Sequence, residues 1–405
     1  MRTSVSIRRP EGTLRGSIAL PPGKSVANRA LVLAALAGDL HSVHGFGHAD
    51  DVRLLHQMLA ERPHTMHCGD GGTSFRFLLA WACVQEGKTH LVTGSERLMQ
   101  RPQAPLVEAL RMLGADITAT EAGLLVRGRN MAGGRAALHS PESSQFISAL
   151  LLAAPRFTQG LQLQWTGLRL SEPYVRMTIA LLKQFGAAVQ EDAEGISVAP
   201  GSLRAAPFHV PPDWSAAAFW YQAAALAPGS EVLLQGLKTD GLQGDEAIQS
   251  LLAGPVSSET TSAGIMLRGT TSTPTQPFTA DLVRTPDLFQ PLAFTMAALG
   301  RNATFTGLHN LPLKETDRLK AVAGALQTLG CRAEYTAGTF KLSGPITNLH
   351  PPAFNPQGDH RMAMALAPLA LVCEEITLLH PDVVNKSYPG FWEDLERTGF
   401  LVRRA

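Results

Sequence analysis

The chain has 405 residues, 45% of them hydrophobic, and 35 Lys and Arg residues nearly balance 34 Asp and Glu residues, for a net charge of +1. This length predicts two or three domains, and the charge balance excludes a global field that would attract nucleic acid or an anionic membrane. Four cysteines without a C-x-x-C pair indicate reduced thiols in a cytoplasmic protein, and no apolar run is long enough to span a bilayer.

The first motif is the segment 21–25, Pro-Pro-Gly-Lys-Ser, which precedes apolar residues at helical spacing. The pattern predicts a helix that Ser25 caps and Gly38 ends. Free N–H groups at the helix start, together with Lys24 and Arg29, favour binding of an anion. An ATP-binding P-loop is excluded, because an isoleucine stands where that motif needs its first glycine.

One unit recurs along the chain: a helix that ends in Leu-x-x-Leu/Phe-Gly, followed by two short strands. Because the first two clear copies are half as far apart as the second and third, a further copy is expected between the latter. The sequence there fits, and two weaker echoes bring the total to six copies of an α/β unit. The helices concerned end at or near Ala60, Gly114, Gly186, Gly254, Gly330 and Gly399.

A second series of helix starts opens with a polar residue and continues into an apolar run. Ser, Thr and Asp are what helix N-caps require, so each start alone indicates only a cap. The Arg and Lys residues near several of them further predict that the starts converge on a multiply charged anion. These starts lie at Gly72, Ser143, Asp213, Thr285 and Gly358.

Three later segments carry charged groups that caps do not need: Lys314-Glu315-Thr316-Asp317-Arg318, Asp359-His360-Arg361 and the turn around Lys386. Together with Asp287 they offer carboxylates for proton transfer and cations for charge stabilisation, so we predict catalysis without a metal or cofactor.

Two other kinds of site are disfavoured. His41, His44 and His48 are the best metal candidates, but their glycine-bearing loop lacks a carboxylate and the H-E-x-x-H context, so we predict that no metal binds there. A Ser-His-Asp hydrolase is disfavoured because no G-x-S-x-G elbow is present.

Taken in order, these segments resemble the motifs of the 5-enolpyruvylshikimate-3-phosphate (EPSP) synthase family from about Thr13 to Phe400. The resemblance implies an α/β fold, a two-domain inverse α/β barrel built of six βαβαββ repeats. It places one domain at residues 1–20 plus 213–405 and the other at 21–212, with the active site in the cleft between them. The specific motifs are Lys-Glu-Thr-Asp-Arg at 314–318 and Asp-His-Arg-Met-Ala at 359–363.

The resemblance also implies an activity: transfer of the enolpyruvyl group of phosphoenolpyruvate to the 5-hydroxyl of shikimate 3-phosphate, with release of phosphate through a tetrahedral intermediate. The implied protein is a cytoplasmic monomer that needs no cofactor. Its partners are these two anionic substrates, with no nucleic acid and no membrane.

Site residues follow from the same resemblance, position by position. The catalytic set is Lys24, Asp287, Glu315 and His360, with Asp287 and Glu315 as the proton-transfer pair. The shikimate 3-phosphate set is Lys24, Ser25, Arg29, Ser143, Ser144, Gln145, Ser171, Tyr174, Asp287, Asn310 and Lys314. The phosphoenolpyruvate set is Lys24, Gly72, Arg101, Gln145, Arg318, Arg361 and Lys386.

Four positions depart from the usual family pattern: Pro22, Asp70, Phe77 and Trp214. Asp70 brings a carboxylate near an anion site, where it would repel phosphoenolpyruvate unless it caps a helix or positions a neighbouring arginine; we favour the structural role.

Three alternative functions are weighed against this resemblance. A transferase acting on UDP-N-acetylglucosamine shares the fold, but its usual loop cysteine has no counterpart here. An RNA 3′-phosphate cyclase relative is disfavoured by the neutral charge. A non-catalytic anion-binding protein would not need carboxylates beside its anion site.

Overall fold

The computed structural model describes residues 3–193, 195–272 and 274–405, which fold into many short strands and mostly short helices. The helices are α1 (Lys24–Ala37), α2 (Asp50–Glu61), α3 (Gly72–Cys83), α4 (Glu96–Met99), α5 (Ala104–Met112), α6 (Ser144–Ala153), α7 (Glu172–Gln184), α8 (Trp214–Leu226), α9 (Ile248–Leu251), α10 (Phe289–Ala298), α11 (Arg318–Thr328), α12 (His360–Leu366) and α13 (Phe391–Arg397).

The strands are short throughout, from two to six residues. They are β1 (Ser4–Arg8), β2 (Arg15–Ile18), β3 (Val43–His44), β4 (Thr65–His67), β5 (Thr89–Thr93), β6 (Asp116–Thr120), β7 (Gly123–Arg127), β8 (Gly134–His139), β9 (Leu161–Thr166), β10 (Val189–Glu191), β11 (Ile196–Val198), β12 (Phe208–His209), β13 (Glu231–Gln235), β14 (Val256–Thr261), β15 (Gly264–Gly269), β16 (Phe278–Asp281), β17 (Ala303–Thr306), β18 (Arg332–Thr336), β19 (Thr339–Ser343), β20 (Ile376–Leu379) and β21 (Leu401–Arg404).

The chain divides into two compact units. Residues 22–210 form one of them, called here the continuous unit. Residues 1–21 and 211–405 form the other, called the discontinuous unit. Prolines stand at both points where the chain passes from one unit to the other.

Four sheets share one topology. In the continuous unit the strand orders are β4-β5-β7-β6 and β10-β11-β9-β8, and in the discontinuous unit β14-β15-β13-β2 and β16-β17-β19-β18. In each sheet one pair of strands is parallel, and the other two strands form an antiparallel hairpin. Parallel neighbours need a crossover, which a helix supplies, so these sheets have the βαβαββ pattern.

The two remaining copies of the repeat are variants of this pattern. In the discontinuous unit the order is β20-β1-β21, with a parallel bridge from Phe354 to β20, so the N-terminal strand completes the last sheet. The other variant lies in the continuous unit, where β3 and β12 form a two-stranded sheet and α2 leads into β4 with no hairpin between them in the described chain. The sixth copy of the repeat is therefore reduced to two short strands and two helices.

Glycines explain why the sequence repeat was visible. Gly114, Gly186, Gly254, Gly330 and Gly399 all have positive φ, the backbone conformation that ends helices and that glycine adopts most readily. Gly264 starts a hairpin strand with φ of 142°, where a Cβ atom would lie 2.0 Å from the carbonyl oxygen of Leu234. The same conformation recurs at the starts of β7 and β11.

Each unit is built around three helices that are buried on all sides. These are α1, α3 and α6 in the continuous unit and α8, α10 and α12 in the discontinuous unit, and within each unit they pack against one another. Helices that are apolar all round belong in a core.

The helix caps agree with the predictions at several starts and differ at others, since neither Thr285 nor the start of α3 has a side-chain cap. Gly38 ends α1 in the left-handed conformation, and the side chains of Ser143, Asp213 and Asp359 cap α6, α8 and α12. The prediction that Ser25 caps α1 is wrong. Because the helix begins two residues earlier than predicted, at Lys24, its N-cap is Gly23, which has no side chain.

All four cysteines are free and buried. Within the described ranges no helix has the length and apolar character that crossing a membrane demands, and no group of three or more His, Cys, Asp or Glu side chains could hold a metal ion.

Candidate active site

In the continuous unit, a buried cation lies one turn into α1. The Arg29 guanidinium donates to Thr178 Oγ1 at 2.7 Å, Ser148 Oγ at 3.1 Å and the Ser25 carbonyl at 2.9 Å. It also lies over the Phe77 ring, with Cζ 5.2 Å from the ring centroid. Within the described chain no carboxylate forms an ion pair with Arg29, and burial lowers its pKa to about 10. The site therefore holds an uncompensated positive charge, which an anionic ligand would neutralise.

Lys24, at the first position of α1, forms an ion pair with Asp51 on α2. Lys24 Nζ lies 2.8 Å from Asp51 Oδ2, and both side chains are largely buried. Asp51 was not among the predicted site residues. An acidic residue in the first turn of a helix is usually only a favourable partner for the helix dipole, so its sequence position gave no sign of this contact.

The start of α3 is shaped around an arginine. Gly72 is the first residue of α3, and a Cβ atom there would lie 2.8 Å from Arg101 Nη1 and 3.0 Å from Arg101 Cζ. Only glycine lets the buried Arg101 guanidinium lie this close to the helix start. The two predicted phosphoenolpyruvate residues are thus brought into contact.

A second arginine, which was not among the predicted site residues, orders the residues beside them. Arg76 is buried on α3 and donates to Gln145, to Gln103 Oε1 at 3.1 Å and to the Pro102 carbonyl at 3.1 Å. Gln145 in turn donates to Thr73 Oγ1 at 2.8 Å. Arg76 therefore fixes the orientation of Gln145, a predicted ligand residue.

The predicted phosphate-binding serines lie at two further helix starts. Ser143 caps α6 and Ser144 is its first residue, nearly buried. Ser171 precedes α7 with φ of 56°, a left-handed conformation that costs a non-glycine residue about 1–2 kcal/mol. Strain of this kind clusters at functional sites. Tyr174 lies under the Arg29 guanidinium, with its ring centroid 5.8 Å from Cζ.

The departure at Asp70 has a local partner. Asp70 is exposed and accepts a hydrogen bond from Ser95, the N-cap of α4. Gly71 is the N-cap of α3, so of the two structural roles predicted for Asp70 the helix cap is excluded, and the hydrogen bond with Ser95 gives it a different local partner.

In the discontinuous unit, one buried arginine joins three carboxylates. Arg318 Nε donates to Asp359 Oδ2 at 2.7 Å, Nη1 donates to Asp287 Oδ1 at 2.7 Å, and Nη2 donates to Glu315 Oε2 at 3.2 Å. Burial alone would lower the pKa of Arg318, but the three carboxylates raise it above its usual value. Arg318 is thus a fixed positive charge that holds the acidic residues in place.

Asp287 is surrounded by cations. Besides Arg318 it contacts Arg361 Nη2 at 3.1 Å and Lys314 Nζ at 3.9 Å. Burial opposes ionisation of Asp287, but Arg361, Lys314 and Arg318 together hold its pKa well below the usual range. Three carboxylates, those of Asp287, Glu315 and Asp359, share this cluster with the cations. Asp287 is ionised at neutral pH and can accept a proton.

The remaining predicted residues lie close by. Lys386 Nζ forms an ion pair with Glu315 Oε1 at 3.1 Å, so Glu315 bridges two cations. His360 is buried beside its neighbour Asp359, with Nδ1 3.8 Å from the carboxylate. Asn310 is buried, and its Oδ1 has no hydrogen-bond partner in the described part of the chain.

One buried carboxylate near this cluster was missed altogether. Asp245 is 2% exposed, Ser215 Oγ lies 2.5 Å from its Oδ2, and its Oδ1 has no hydrogen-bond partner among the described residues. Burial, with a further contribution from the nearby Asp287, raises the pKa of Asp245 to about 6, although Arg361 and the hydrogen bond from Ser215 oppose the rise.

Comparison with known proteins decides the family. A family model described as EPSP synthase (3-phosphoshikimate 1-carboxyvinyltransferase) matches residues 8–62 and 55–395. The chain belongs to the EPSP synthase family. It is 37% identical over 398 residues to the 3-phosphoshikimate 1-carboxyvinyltransferase of Bacteroides fragilis, covering 96% of this chain and 97% of that protein. Identity to the protein of the same name from Methanospirillum hungatei is 31% over 414 residues, covering 94% and 95% of the two chains.

Solved structures support the fold of an EPSP synthase family member. The EPSP synthase from Acinetobacter baumannii superposes with a TM-score of 0.78 at 23% identity, covering 99% of this chain and 100% of that one. The enolpyruvyl transferase NikO from Streptomyces tendae gives 0.75 at 17% identity, covering 100% and 99%. The predicted family and the predicted two-domain inverse α/β fold are confirmed.

Proposed function

We infer that this member of the EPSP synthase family transfers the enolpyruvyl group of phosphoenolpyruvate to the 5-hydroxyl of shikimate 3-phosphate and releases phosphate. The observation that carries the inference is the charge arrangement around Arg318, in which a carboxylate stays ionised among several buried cations. Mere anion binding gains nothing from carboxylates in such a place, whereas proton transfer beside an anion requires them.

The continuous unit is proposed to bind shikimate 3-phosphate. Arg29 has no carboxylate partner in the described chain, so the carboxylate of shikimate 3-phosphate would satisfy its charge. Ser143, Ser144 and Ser171, all at helix starts, are proposed to hold the phosphate with their hydroxyl and backbone N–H groups.

Each unit contains residues that we propose as ligands of phosphoenolpyruvate. In the continuous unit Lys24 and Arg101 would carry its negative charges, and Gln145 would donate its amide. In the discontinuous unit these roles fall to Arg318, Arg361 and Lys386.

The proposed chemistry has two steps. In the addition, Asp287 takes the 5-hydroxyl proton, the hydroxyl oxygen bonds to C2 of phosphoenolpyruvate, and the C2–C3 double bond accepts a proton at C3 from an acid. In the elimination, a proton leaves C3, the double bond reforms, and the bond from C2 to the phosphate oxygen breaks. We assign the acid role to Glu315 with Lys24, and charge stabilisation to His360 and the neighbouring cations.

The roles of Glu315 and Lys24 follow from their ion pairs. Each is held by an oppositely charged neighbour, Glu315 by Lys386 and Lys24 by Asp51. In the addition we propose that Glu315, assisted by Lys24, supplies the proton that bonds to C3. In the elimination the proton that leaves C3 returns to the Glu315 carboxylate.

The test is a phosphate-release assay with both substrates. Phosphate should appear only when shikimate 3-phosphate and phosphoenolpyruvate are both present. UDP-N-acetylglucosamine should not replace the acceptor. The variant Asp287→Asn should bind shikimate 3-phosphate with nearly unchanged affinity but lose at least about a hundredfold in kcat.

A matched control is Asp382→Asn, which changes a carboxylate outside the charge cluster. Near-normal turnover of Asp287→Asn would assign Asp287 to a purely structural role. If phosphate were released with phosphoenolpyruvate and UDP-N-acetylglucosamine but not with shikimate 3-phosphate, the proposed acceptor would be wrong.

We further propose that the protein works in the cytoplasm as a monomer, with no nucleic-acid or membrane partner. Its near-neutral charge and its buried free thiols support this proposal. A measured solution mass of twice 43.3 kDa would contradict it.

A further inference from the structure

Two buried hydroxyl groups in the continuous unit hold Arg29 and belong to none of the residue sets assigned above. Ser148 lies on α6 and Thr178 on α7, and both residues are 0% exposed. Thr178 Oγ1 lies 2.7 Å from Arg29 Nε, Ser148 Oγ lies 3.1 Å from Arg29 Nη2, and the two hydroxyl oxygens are 2.9 Å apart. The pair therefore occupies the edge of the guanidinium that Nε and Nη2 form.

Both hydroxyl groups accept hydrogen bonds from Arg29, because a guanidinium can only donate. Thr178 Oγ1 also lies 2.9 Å from the Tyr174 carbonyl, one turn earlier in α7, so its own proton has an acceptor away from Arg29. A carboxylate in either place would also accept these bonds, but it would cancel the charge of the guanidinium. A hydroxyl group accepts without adding negative charge, so this pair fixes Arg29 and leaves its positive charge for a ligand.

The same contacts determine which N–H groups of Arg29 remain for a ligand. Nε, Nη1 and Nη2 each donate one hydrogen bond within the described chain, to Thr178, the Ser25 carbonyl and Ser148 respectively. Nη1 and Nη2 carry two N–H groups each, so one N–H group remains on each of these two nitrogen atoms. Two N–H groups on one planar guanidinium match the two oxygen atoms of a carboxylate.

Two aromatic rings restrict rotation of the guanidinium out of this orientation. Arg29 Cζ lies 5.2 Å from the centroid of the Phe77 ring and 5.8 Å from the centroid of the Tyr174 ring. Phe77, which departs from the usual family pattern, is 1% exposed on α3. Rings at these distances attract a cation and pack against it. Arg29 is therefore held by residues of α3, α6 and α7 as well as by its own helix.

We propose that Ser148 and Thr178 are positioning residues for recognition of the substrate carboxylate, because they hold Arg29 without a counter-ion and leave one N–H group on each of Nη1 and Nη2 for the two carboxylate oxygens. This inference rests on the proposed function, in which Arg29 binds the carboxylate of shikimate 3-phosphate. It adds that loss of either hydroxyl group weakens binding of the carboxylate and leaves the contacts to the rest of the substrate intact.

The test measures dissociation constants of the full chain by isothermal titration calorimetry, for shikimate 3-phosphate and for an analogue in which a hydroxymethyl group replaces the carboxylate. In Thr178→Val the affinity for shikimate 3-phosphate should fall about tenfold or more, because Arg29 Nε loses its acceptor and the guanidinium is no longer fixed. The affinity for the analogue should change by less than about twofold, since its remaining contacts do not involve Arg29. A purely structural role of Thr178 would weaken both ligands alike.

Further variants separate the hydroxyl group from the volume of the side chain. Thr178→Ser keeps the hydroxyl group and should restore binding, and Ser148→Ala should behave like Thr178→Val. Thr295→Val is the matched control, because Thr295 is also 0% exposed in a helix and donates to the Pro291 carbonyl one turn earlier, with no charged partner in the described chain. Both affinities should be unchanged in the control.

A signal from Arg29 itself gives a second readout that needs no ligand. The Nε–H resonance of Arg29, assigned by ¹H–¹⁵N NMR through its loss in Arg29→Lys, should move upfield in Thr178→Val and return in Thr178→Ser. An unchanged resonance in Thr178→Val would overturn the proposal, and so would equal losses of affinity for shikimate 3-phosphate and its analogue. If the parent did not bind shikimate 3-phosphate, the proposed function would be wrong, and the Arg29 resonance alone would decide whether the hydroxyl groups position Arg29.

Discussion

Asp245 should make the stability of the protein depend on pH in a way that a single substitution removes. The carboxyl is 2% exposed, lacks a cationic hydrogen-bond partner, and has its pKa raised by burial from 3.8 to about 6. The charged groups that act on it are Asp287 and Asp213, which raise the pKa, and Arg361, which lowers it. Asp245→Asn replaces the carboxyl with a neutral group of nearly the same shape, which Ser215 can still contact.

The sign of the pH dependence of stability follows from which state, folded or unfolded, binds the proton of Asp245 more tightly. Below about pH 4 the carboxyl is protonated in both folded and unfolded chains, and it costs nothing. Between about pH 4 and 6 only the folded protein retains the proton, so its stability falls as pH rises. Above pH 6 both states are ionised, and the full cost persists. A rise in pKa from 3.8 to about 6 corresponds to about 3 kcal/mol, at about 1.4 kcal/mol for each tenfold change.

The measurement is urea unfolding of parent and Asp245→Asn between pH 4.5 and 8, followed by tryptophan fluorescence. Trp214, Trp220 and Trp392 report on the discontinuous unit. The variant should gain stability over the parent as pH rises, by up to about 3 kcal/mol at pH 7. The exposed carboxylate variant Glu334→Gln should show no such trend. A difference that stays constant with pH, or a variant less stable at pH 7, would refute the reasoning, since Asp245 would then be a stabilising anion.

Two further substitutions test the proposed substrate site. Gly72→Ala places a methyl group about 3 Å from the Arg101 guanidinium, so the Michaelis constant for phosphoenolpyruvate should rise about tenfold or more with a smaller change in kcat; Gly12→Ala, which meets nothing within 4 Å, is the control, and equal effects of both would exclude the Arg101 explanation. Ser171→Gly should leave the melting temperature unchanged or slightly raised, because it relieves a left-handed serine, while affinity for shikimate 3-phosphate falls about tenfold; a lower melting temperature with unchanged affinity would make Ser171 structural.

The fold was largely predictable because the residues that end its helices act through local backbone conformation. A glycine that ends a helix with positive φ acts through its own backbone, so the repeat at Gly114, Gly186 and Gly330 is legible in the sequence and recurs in the structure. The reduced sixth copy of the repeat was harder to recognise in the sequence. Its strands β3 and β12 have two residues each and pair across most of the continuous unit, and no local pattern encodes such a pairing.

The candidate site was predictable in its residue types but not in its pairings. Lys24 and Asp51 are 27 positions apart, and Arg318 meets Asp359 across 41 positions. Sequence spacing specifies contacts only within a helix or a hairpin, so a charged residue can be recognised as chemically active while its counter-ion stays unknown. Asp51, the partner of Lys24, was missed for this reason.

Arg29 and Asp245 show the consequence for two buried charged groups whose environment cannot be predicted from the sequence. Each is a buried ionisable group without an oppositely charged hydrogen-bond partner in the described chain, one positive and one negative. Burying either without a partner costs stability. An anionic substrate can remove the cost at Arg29 but can only add to it at a carboxylate, whereas a proton removes the cost at Asp245 alone. Ligand binding should therefore stabilise the continuous unit through Arg29. Acidification toward pH 5 should stabilise the discontinuous unit through protonation of Asp245. Arg29 and Asp245 therefore differ in what stabilises the fold around them, a ligand or a proton, although both are ordinary charged residues in the sequence.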